Sequence, residues 1–549
     1  MIYKIKIDNL SIFNLQNNCL VDKINLNIVD NSITAIIGES GSGKTLTAHS
    51  ILGLLPKTLN ISPQSHIYYN LDNQEIDLLK INKKQWRTLR SKKISMIFQN
   101  PMSSLHPLIK CGEQIEEVLK VHTKYATRKR KELVKEILKQ VGFDNADRIY
   151  NAFPHQLSGG EQQRVMISMA MITNPEILIA DEPTTALDAQ IQLEIINLIK
   201  HLKNQFHCTV LFISHDLTLV RSFADYIYVM KNGKIIEHGS VNDIFDNPTN
   251  EYTRLLIQCK PTLNYTPHRL PTLMQSNDFS LFEIKTNHKE INNEIVLNIK
   301  NLNIVHQNKT IWGQTVYNHI LKNINFDVKN NECLGIIGES GSGKTTLLKT
   351  ILGLIKPDSG IIEYKNKKLD ILNNRPKSLL KSIQWVQQNP YTSLPPNMTI
   401  GKHFNAILKL HNIGNTFEQR DDIIKNTLAL CQMPLDIINR YPHQFSGGQL
   451  QRLAIAQALL VNPEIILLDE PVSSLDVSIQ AAIINLLNDI KDTRQITYIF
   501  ITHDIMLANY FCDSIIVLYK GEIVENGLSK DIISRPQHSY TKLLINSFQ

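Results

Sequence analysis

Apolar and polar positions follow two rhythms along this chain, and the switch between them recurs. Ser32–Ile37 is a short β-branched run and reads as a strand. After a glycine-rich break, apolar residues return at helical spacing as Leu46, Ile51, Leu52 and Leu55, and Pro56 is the expected stop. The same order appears later: Cys333–Ile337, a glycine-rich break, then Leu347, Leu348, Ile351, Leu352 and Ile355 before Pro357. Two continuous apolar runs, Ile177–Ala180 and Ile465–Leu468, each end in Asp-Glu. Such runs fit parallel strands buried on both faces. Met1–Lys6 alternates like a strand.

The glycine-rich breaks are identical octapeptides. Gly38, Glu39, Ser40, Gly41, Ser42, Gly43, Lys44 and Thr45 match Gly338, Glu339, Ser340, Gly341, Ser342, Gly343, Lys344 and Thr345. Both fit G-x-x-x-x-G-K-[ST], the P-loop pattern, in its strand–loop–helix context. Glycines let backbone N–H groups turn toward phosphate oxygens at the positive end of a helix. The lysine of each copy is placed to reach β- and γ-phosphates, and the threonine to hold Mg²⁺. A nucleotide and Mg²⁺ are therefore the expected cofactors. A glycine-rich turn that binds nothing is the plainer reading of one copy; two complete copies argue against it.

Other features repeat in register. Gln99 and Gln388 open Gln-Asn-Pro elements, Ser158 and Ser446 open Ser-Gly-Gly, and Asp181 and Asp469 open Asp-Glu-Pro. His215 and His503 open His-Asp pairs. Copy two is shorter between its glycine loop and its Gln, and carries extra residues around Thr310–His319. A duplicated domain tolerates such changes in its connections. The expected organisation is an α/β protein of two tandem P-loop NTPase domains. Domain one covers 1–258, a linker 259–294 and domain two 295–549. Pro261, Pro267 and Pro271 among polar residues mark Cys259–Asn293 as an exposed join.

Composition excludes several classes. No stretch approaches 18 successive apolar residues, so no membrane-spanning helix is expected, and the start lacks the layout of a signal peptide. Seven cysteines are scattered without a C-x-x-C pair, which argues against zinc modules, iron–sulfur clusters and a disulfide framework. Net charge is +7, and basic residues cluster at Lys80–Lys93 and Arg128–Lys131. Acidic neighbours such as Glu132 and Glu136 make a solvated face the preferred reading, and no nucleic-acid partner is expected.

Leu157-Ser158-Gly159-Gly160-Glu161 and Phe445-Ser446-Gly447-Gly448-Gln449 resemble the signature motif of ATP-binding cassette proteins. The order of glycine loop, Gln element, signature, Asp-Glu and Ser/Thr-His-Asp is that family's order. The resemblance covers nearly the whole chain outside the join. It implies an ATPase, with ATP and Mg²⁺ as cofactors, in which each cassette carries a helical subdomain, near Pro101–Leu157 and Pro390–Phe445. It further implies that two cassettes sandwich two ATP molecules, each site completed by the other cassette's signature. Site one would use Lys44, Thr45, Gln99, Asp181, Glu182 and His215 with Ser446–Gln449. Site two would use Lys344, Thr345, Gln388, Asp469, Glu470 and His503 with Ser158–Glu161. The resemblance implies that Glu182 and Glu470 act as general bases on water and that His215 and His503 contact the γ-phosphate. Mg²⁺ would be held by Thr45, Gln99 and Asp181, and by Thr345, Gln388 and Asp469. Ala186–Asp188 and Ser474–Asp476 resemble the family's interface loop. Phe13 occupies the adenine-stacking position of copy one. Copy two has Val305 there, with Tyr317 or Trp312 of the insertion as substitutes.

Gln99–Pro107, Pro154-His155-Gln156, and the ends Pro248 to Thr253 and Pro536 to Thr541 are similar to the bacterial peptide and nickel importer subfamily. The fused arrangement is most similar to ATPases of microcin C and oligopeptide importers, then to glutathione importers. No cysteine-rich tail follows cassette two, so no iron–sulfur cluster is expected. The resemblance implies two permease partners, a solute-binding protein reached through the complex, and a peripheral place on the cytoplasmic face of the bacterial inner membrane. The alternatives are a glutathione-type importer ATPase and, from another class, a tandem-cassette translation factor that binds ribosomes. A DNA-repair cassette ATPase would need zinc cysteines that are missing here.

Overall fold

The computed structural model describes residues 3–71, 74–185, 187–262, 267–272, 292–309, 315–369, 377–473 and 475–546. The chain divides into two compact units, Met1–Ile257 and Gln258–Gln549.

In the first unit the six-stranded sheet runs in the order Lys234–Ser240, Tyr226–Lys231, Ile33–Ile37, Thr209–Ser214, Ile177–Asp181, Ile94–Ile97. All neighbours pair in parallel except Lys234–Ser240, which lies antiparallel at one edge. The interior strands are apolar along their whole length because both faces are covered: Ile33–Ile37, Ile177–Asp181 and Thr209–Ser214 are buried at every position. Registry sets the site. Ile37 pairs with Ser214, and Asp181 with Ile213. The carboxyl ends of three strands therefore finish side by side, where ligands of such sheets collect. The second unit repeats this with Cys333–Ile337, Ile465–Asp469 and Thr497–Thr502.

A smaller antiparallel sheet packs on the parallel one. In the first unit it is built around Tyr3–Asn14 and Cys19–Val29, and Ile5, Ile7, Leu26 and Tyr69 share a core with Ile36, Ile177 and Ile213. A polar contact ties the two sheets. Glu176 takes Lys4 at 2.7 Å, the Tyr69 hydroxyl at 2.8 Å, and Lys93. In the second unit Tyr364 donates to Glu464 at 2.7 Å, and Lys365 lies 2.6 Å from it. The extra residues of copy two lengthen a hairpin, Asn292–Lys309 against Thr315–Asn330, which stays paired out to Lys309 and Thr315.

Helical segments follow each Gln element. In the first unit they are Pro101–Ser104, Cys111–His122, Thr127–Gln140 and Ala146–Asn151, before the helix Gly159–Met171. In the second they are Pro390–Ser393, Ile400–Leu410, Phe417–Leu430 and the 3-10 turn Leu435–Asn439, before Gly447–Leu459.

Two expectations need correction. The helices after the glycine loops stop at Ile51 and Ile351, short of the prolines. Gly53 and Gly353, with φ of 60° and 71°, end them. Leu54 N–H reaches His49 O while Gly53 N–H reaches Ser50 O, the double closure of a left-handed glycine cap, and Leu354 and Gly353 repeat it. The join is not exposed throughout. Cys259 and Leu270 are buried in the core of the second unit. Asn485 holds Leu270 through both its N–H and its carbonyl, at 3.0 and 2.7 Å. Arg269 pairs with Asp489 and Asp492 at 2.9 and 2.8 Å. Two isolated apolar residues in a polar, Pro-bearing stretch were enough to dock it; 273–291 lie outside the described residues.

Candidate functional site

The glycine loops have the backbone that a phosphate cradle needs. Gly41 and Gly43 have φ of 80° and 102°, and Gly341 and Gly343 have 84° and 106°. A Cβ on Gly38 would stand 2.2 Å from Met230 O, and one on Gly338 2.2 Å from Leu518 O, so no side chain fits there. Lys44 Nζ curls back to donate to Gly38 O at 2.7 Å and Glu39 O at 2.9 Å. Lys344 does the same, at 2.7 Å to both carbonyls of its loop. Ser42 Oγ and Ser342 Oγ are buried and lack a hydrogen-bond partner. A buried hydroxyl without a partner is costly in a folded protein. A phosphate oxygen in the loop would satisfy it, so the residues present fit the nucleotide.

The Asp-Glu pairs meet these loops from the neighbouring strand. Thr45 Oγ1 donates to Asp181 Oδ1 at 3.2 Å, and Thr345 Oγ1 to Asp469 Oδ1 at 3.4 Å. Burial pushes the Asp181 carboxyl up to about 6, against the Thr45 hydrogen bond and with help from the Glu182 charge. Burial and the Glu470 charge push Asp469 up to about 6 as well. A carboxylate whose charge is penalised in this way is one that a divalent cation stabilises. Thr45 with Asp181, and Thr345 with Asp469, thus fit Mg²⁺, which would screen phosphate charge when bound.

The second acid of each pair gathers the remaining groups. Gln99 Nε2 donates to Glu182 Oε2 at 2.8 Å, Thr185 Oγ1 donates to it at 3.1 Å, and His215 Nδ1 lies 3.1 Å away. In the second unit Gln388 Nε2 donates to Glu470 Oε2 at 3.0 Å and His503 Nδ1 lies at 3.5 Å. Both glutamates adopt left-handed backbone, with φ of 45° and 46°. Burial acts to raise the Glu182 carboxyl, but His215, Lys44 and Thr185 hold it at about 2. Glu470 is also held below its ordinary value, chiefly by His503 against burial. Burial disfavours charge on His503, yet Glu470 raises its pKa. Each glutamate is thus favoured in its ionised form, an acceptor for the Gln beside it.

The signature residues start long helices. Ser158 caps Gly159–Met171, and Ser446 caps Gly447–Leu459, each through a reciprocal bond with the residue three further on. The second glycine of each motif is a packing residue. A Cβ on Gly160 would lie 2.9 Å from Ile191 Cγ2, and one on Gly448 2.6 Å from Ile479 Cγ2. Asp188 and Asp476 begin the helices that carry those isoleucines. Ala186 and Ser474 lie outside the described residues.

Sequence reading missed two groups. Thr185 and Ser473 stand three residues after each glutamate, and Ser473 Oγ donates to Glu470 O at 3.2 Å; the repeated hydroxyl was the available signal. Arg148 pairs with Glu161, and nothing local signals it. Val305 does take the register position of Phe13. It pairs with His319 where Phe13 pairs with Cys19, and Tyr317 faces Gln307 instead. Trp312 lies outside the described residues.

Two parallel sheets, each with a glycine loop, a Thr–Asp pair and a Gln–Glu–His cluster at its carboxyl edge, define a tandem P-loop ATPase. Residues 21–185 and 321–473 match the ABC transporter family model, and 236–281 and 524–549 match the oligopeptide/dipeptide transporter C-terminal region. The chain belongs to the ABC transporter family. It is 38% identical over 532 residues to a peptidoglycan transport ATP-binding protein of Agrobacterium fabrum, covering 96% of this chain and 92% of that one. It is 37% identical to a glutathione import ATP-binding protein of Salmonella choleraesuis, covering 96% and 86%. It is 36% identical to the Escherichia coli glutathione import protein, covering 98% and 88%. The chain is an ATP-hydrolysing subunit of the importer kind. Among the described residues, no helix is long and apolar enough to cross a membrane.

Proposed function

We propose that this chain is the motor of an importer for peptides or peptide-like solutes, working with two permeases and a solute-binding protein at the cytoplasmic face of the bacterial inner membrane. Relatives named for peptidoglycan and glutathione transport, with the oligopeptide-type C-terminal region, support that solute class. In this reading Lys44 and Lys344 bind nucleotide phosphate with the amides of their loops. Thr45, Gln99 and Asp181, and Thr345, Gln388 and Asp469, serve Mg²⁺. Glu182 and Glu470 accept the proton of attacking water, with His215 and His503 beside the γ-phosphate. Ser158–Glu161 and Ser446–Gln449 bind nucleotide at their helix N-termini.

The observation that supports the permease partnership is a set of exposed apolar residues close to Gln99 along the chain. Phe98, Met102 and Leu108 are all exposed, the last two at 74% and 79%. Large apolar side chains clustered on a surface mark interaction sites. Gln99 bonds the carboxylate proposed as base, so a partner pressing on these residues can alter hydrolysis. The test is copurification with candidate permeases, then peptide-stimulated ATPase in reconstituted vesicles. Met102→Glu with Leu108→Glu should abolish copurification and stimulation while ATP binding persists. A chain that ignores every permease and binds ribosomes tightly with ATP would overturn the proposal.

A further inference from the structure

The two signature motifs differ in charge, and the fold answers the difference. Glu161 presents a carboxylate within the first turn of its helix, whereas Gln449 at the same place is neutral. Both close the same cap: Ser158 N–H donates to Glu161 Oε2 at 2.9 Å, and Ser446 N–H to Gln449 Oε1 at 3.1 Å. The cap therefore does not need a charge. A carboxylate at this spot opposes the positive end of the helix that would meet phosphate.

Glu161 Oε1 is taken by Arg148 Nη2, from the helix Ala146–Asn151. The matching position in the second unit can be read from the backbone. Cys111 N–H donates to Ala152 O and Ile400 N–H to Arg440 O; Ala152 N–H donates to Ile149 O and Arg440 N–H to Ile437 O. Gly112 faces Tyr150, and Gly401 faces Ile438. Arg148 therefore corresponds to Asp436. Asp436 is directed instead to Arg440, 2.6 Å away. Arginine accompanies the glutamate, and an acid accompanies the glutamine. A packing role for Arg148 would not require the two positions to change together.

We propose that Arg148 is a positioning residue for the first signature: it neutralises and orients Glu161 so that the N-terminus of Gly159–Met171 can face a nucleotide phosphate. In the second cassette Gln449 makes that service unnecessary, and Asp436 is tolerated there. The inference rests on the ATPase reading above.

The experiment measures kcat and KM for ATP on the full chain. Arg148→Ala should raise KM about three- to tenfold, with kcat changed less, because a bare carboxylate then repels phosphate. Adding Glu161→Gln to Arg148→Ala should return KM most of the way, and Arg148→Lys should stay near the wild type. If Arg148 merely staples two helices, the double variant remains as impaired as Arg148→Ala, and the inference fails. Should Arg148→Ala not fold, the mirror pair decides. Gln449→Glu should raise KM, and adding Asp436→Arg should recover it; a Gln449→Glu effect that Asp436→Arg leaves untouched overturns the inference. A wild-type chain without ATPase activity overturns the functional reading and this inference together. Normal wild-type ATPase with an unresponsive Arg148→Ala overturns the inference alone.

Discussion

Gln99 Nε2 and His215 Nδ1 converge on one oxygen, Oε2 of Glu182, at 2.8 and 3.1 Å. In the proposal above, this carboxylate takes the proton of the attacking water. While both partners hold it, the carboxylate is a weak base, since hydrogen bonds to the charged form depress its pKa. Release of either partner raises its basicity. On that proposal whatever moves Gln99 or His215 would time hydrolysis, and Gln388 and His503 stand in the same relation to Glu470.

The first prediction concerns the bases. Glu182→Gln with Glu470→Gln should lower steady-state phosphate release by about 10²–10⁴-fold, the usual range for general-base catalysis. ATP binding, followed by equilibrium titration, should persist. Near-normal turnover would remove both residues from the proposed role.

Gln99→Ala separates timing from chemistry. Glu182 keeps His215 and Thr185 as partners and Thr45 keeps Asp181, so basal hydrolysis should fall, with loss of a proposed Mg²⁺ ligand, but persist. Stimulation by permease and peptide should be lost, as read in vesicles containing the whole complex. Stimulation equal to that of the wild type would break the proposed link between the exposed apolar residues and Glu182.

Packing at the signature makes a steric prediction. Gly448→Ala places a methyl group 2.6 Å from Ile479 Cγ2, and overpacking of this kind costs about 1–3 kcal/mol. The thermal midpoint should fall. Ile479→Ala, added to it, should restore part of the loss in the same melting experiment. A double variant less stable than Gly448→Ala would show that the clash is relieved elsewhere.

Glu176 predicts a pH dependence. Burial acts to raise its carboxyl, but Lys4, Lys93 and Tyr69 hold it at about 2. A depressed carboxylate adds stability that is fully present above its unfolded pKa, near 4.3, and is lost as pH falls toward 2. Glu176→Gln should therefore cost about 1–2 kcal/mol at neutral pH, at the modest end because the group is partly exposed. The gap between the two proteins should narrow below about pH 4.3. Denaturant midpoints across that range are the measurement; a gap independent of pH would mean that the ion pairs contribute nothing.

Local spacing determined much of this protein. The glycine loops, the strands ending in Asp-Glu and the signature helices are each written in a few adjacent residues, because each depends on the conformation of one turn or one strand end. The doubling of the chain followed from the same short patterns. Long-range registry decided the rest. Thr45 meets Asp181 across 136 residues, and Gln99 meets Glu182 across 83; these contacts exist because parallel strands finish level, which no local pattern records. The length of the first helix turned on a left-handed glycine rather than a proline. The docking of Leu270 turned on one buried side chain and one asparagine of a distant helix. Arg148 looked like any other surface charge until folding brought it to Glu161. Sequence fixes what a residue can do chemically, but its partner is set by packing, where burial rewards only the contacts that the whole sheet and its helices bring within reach.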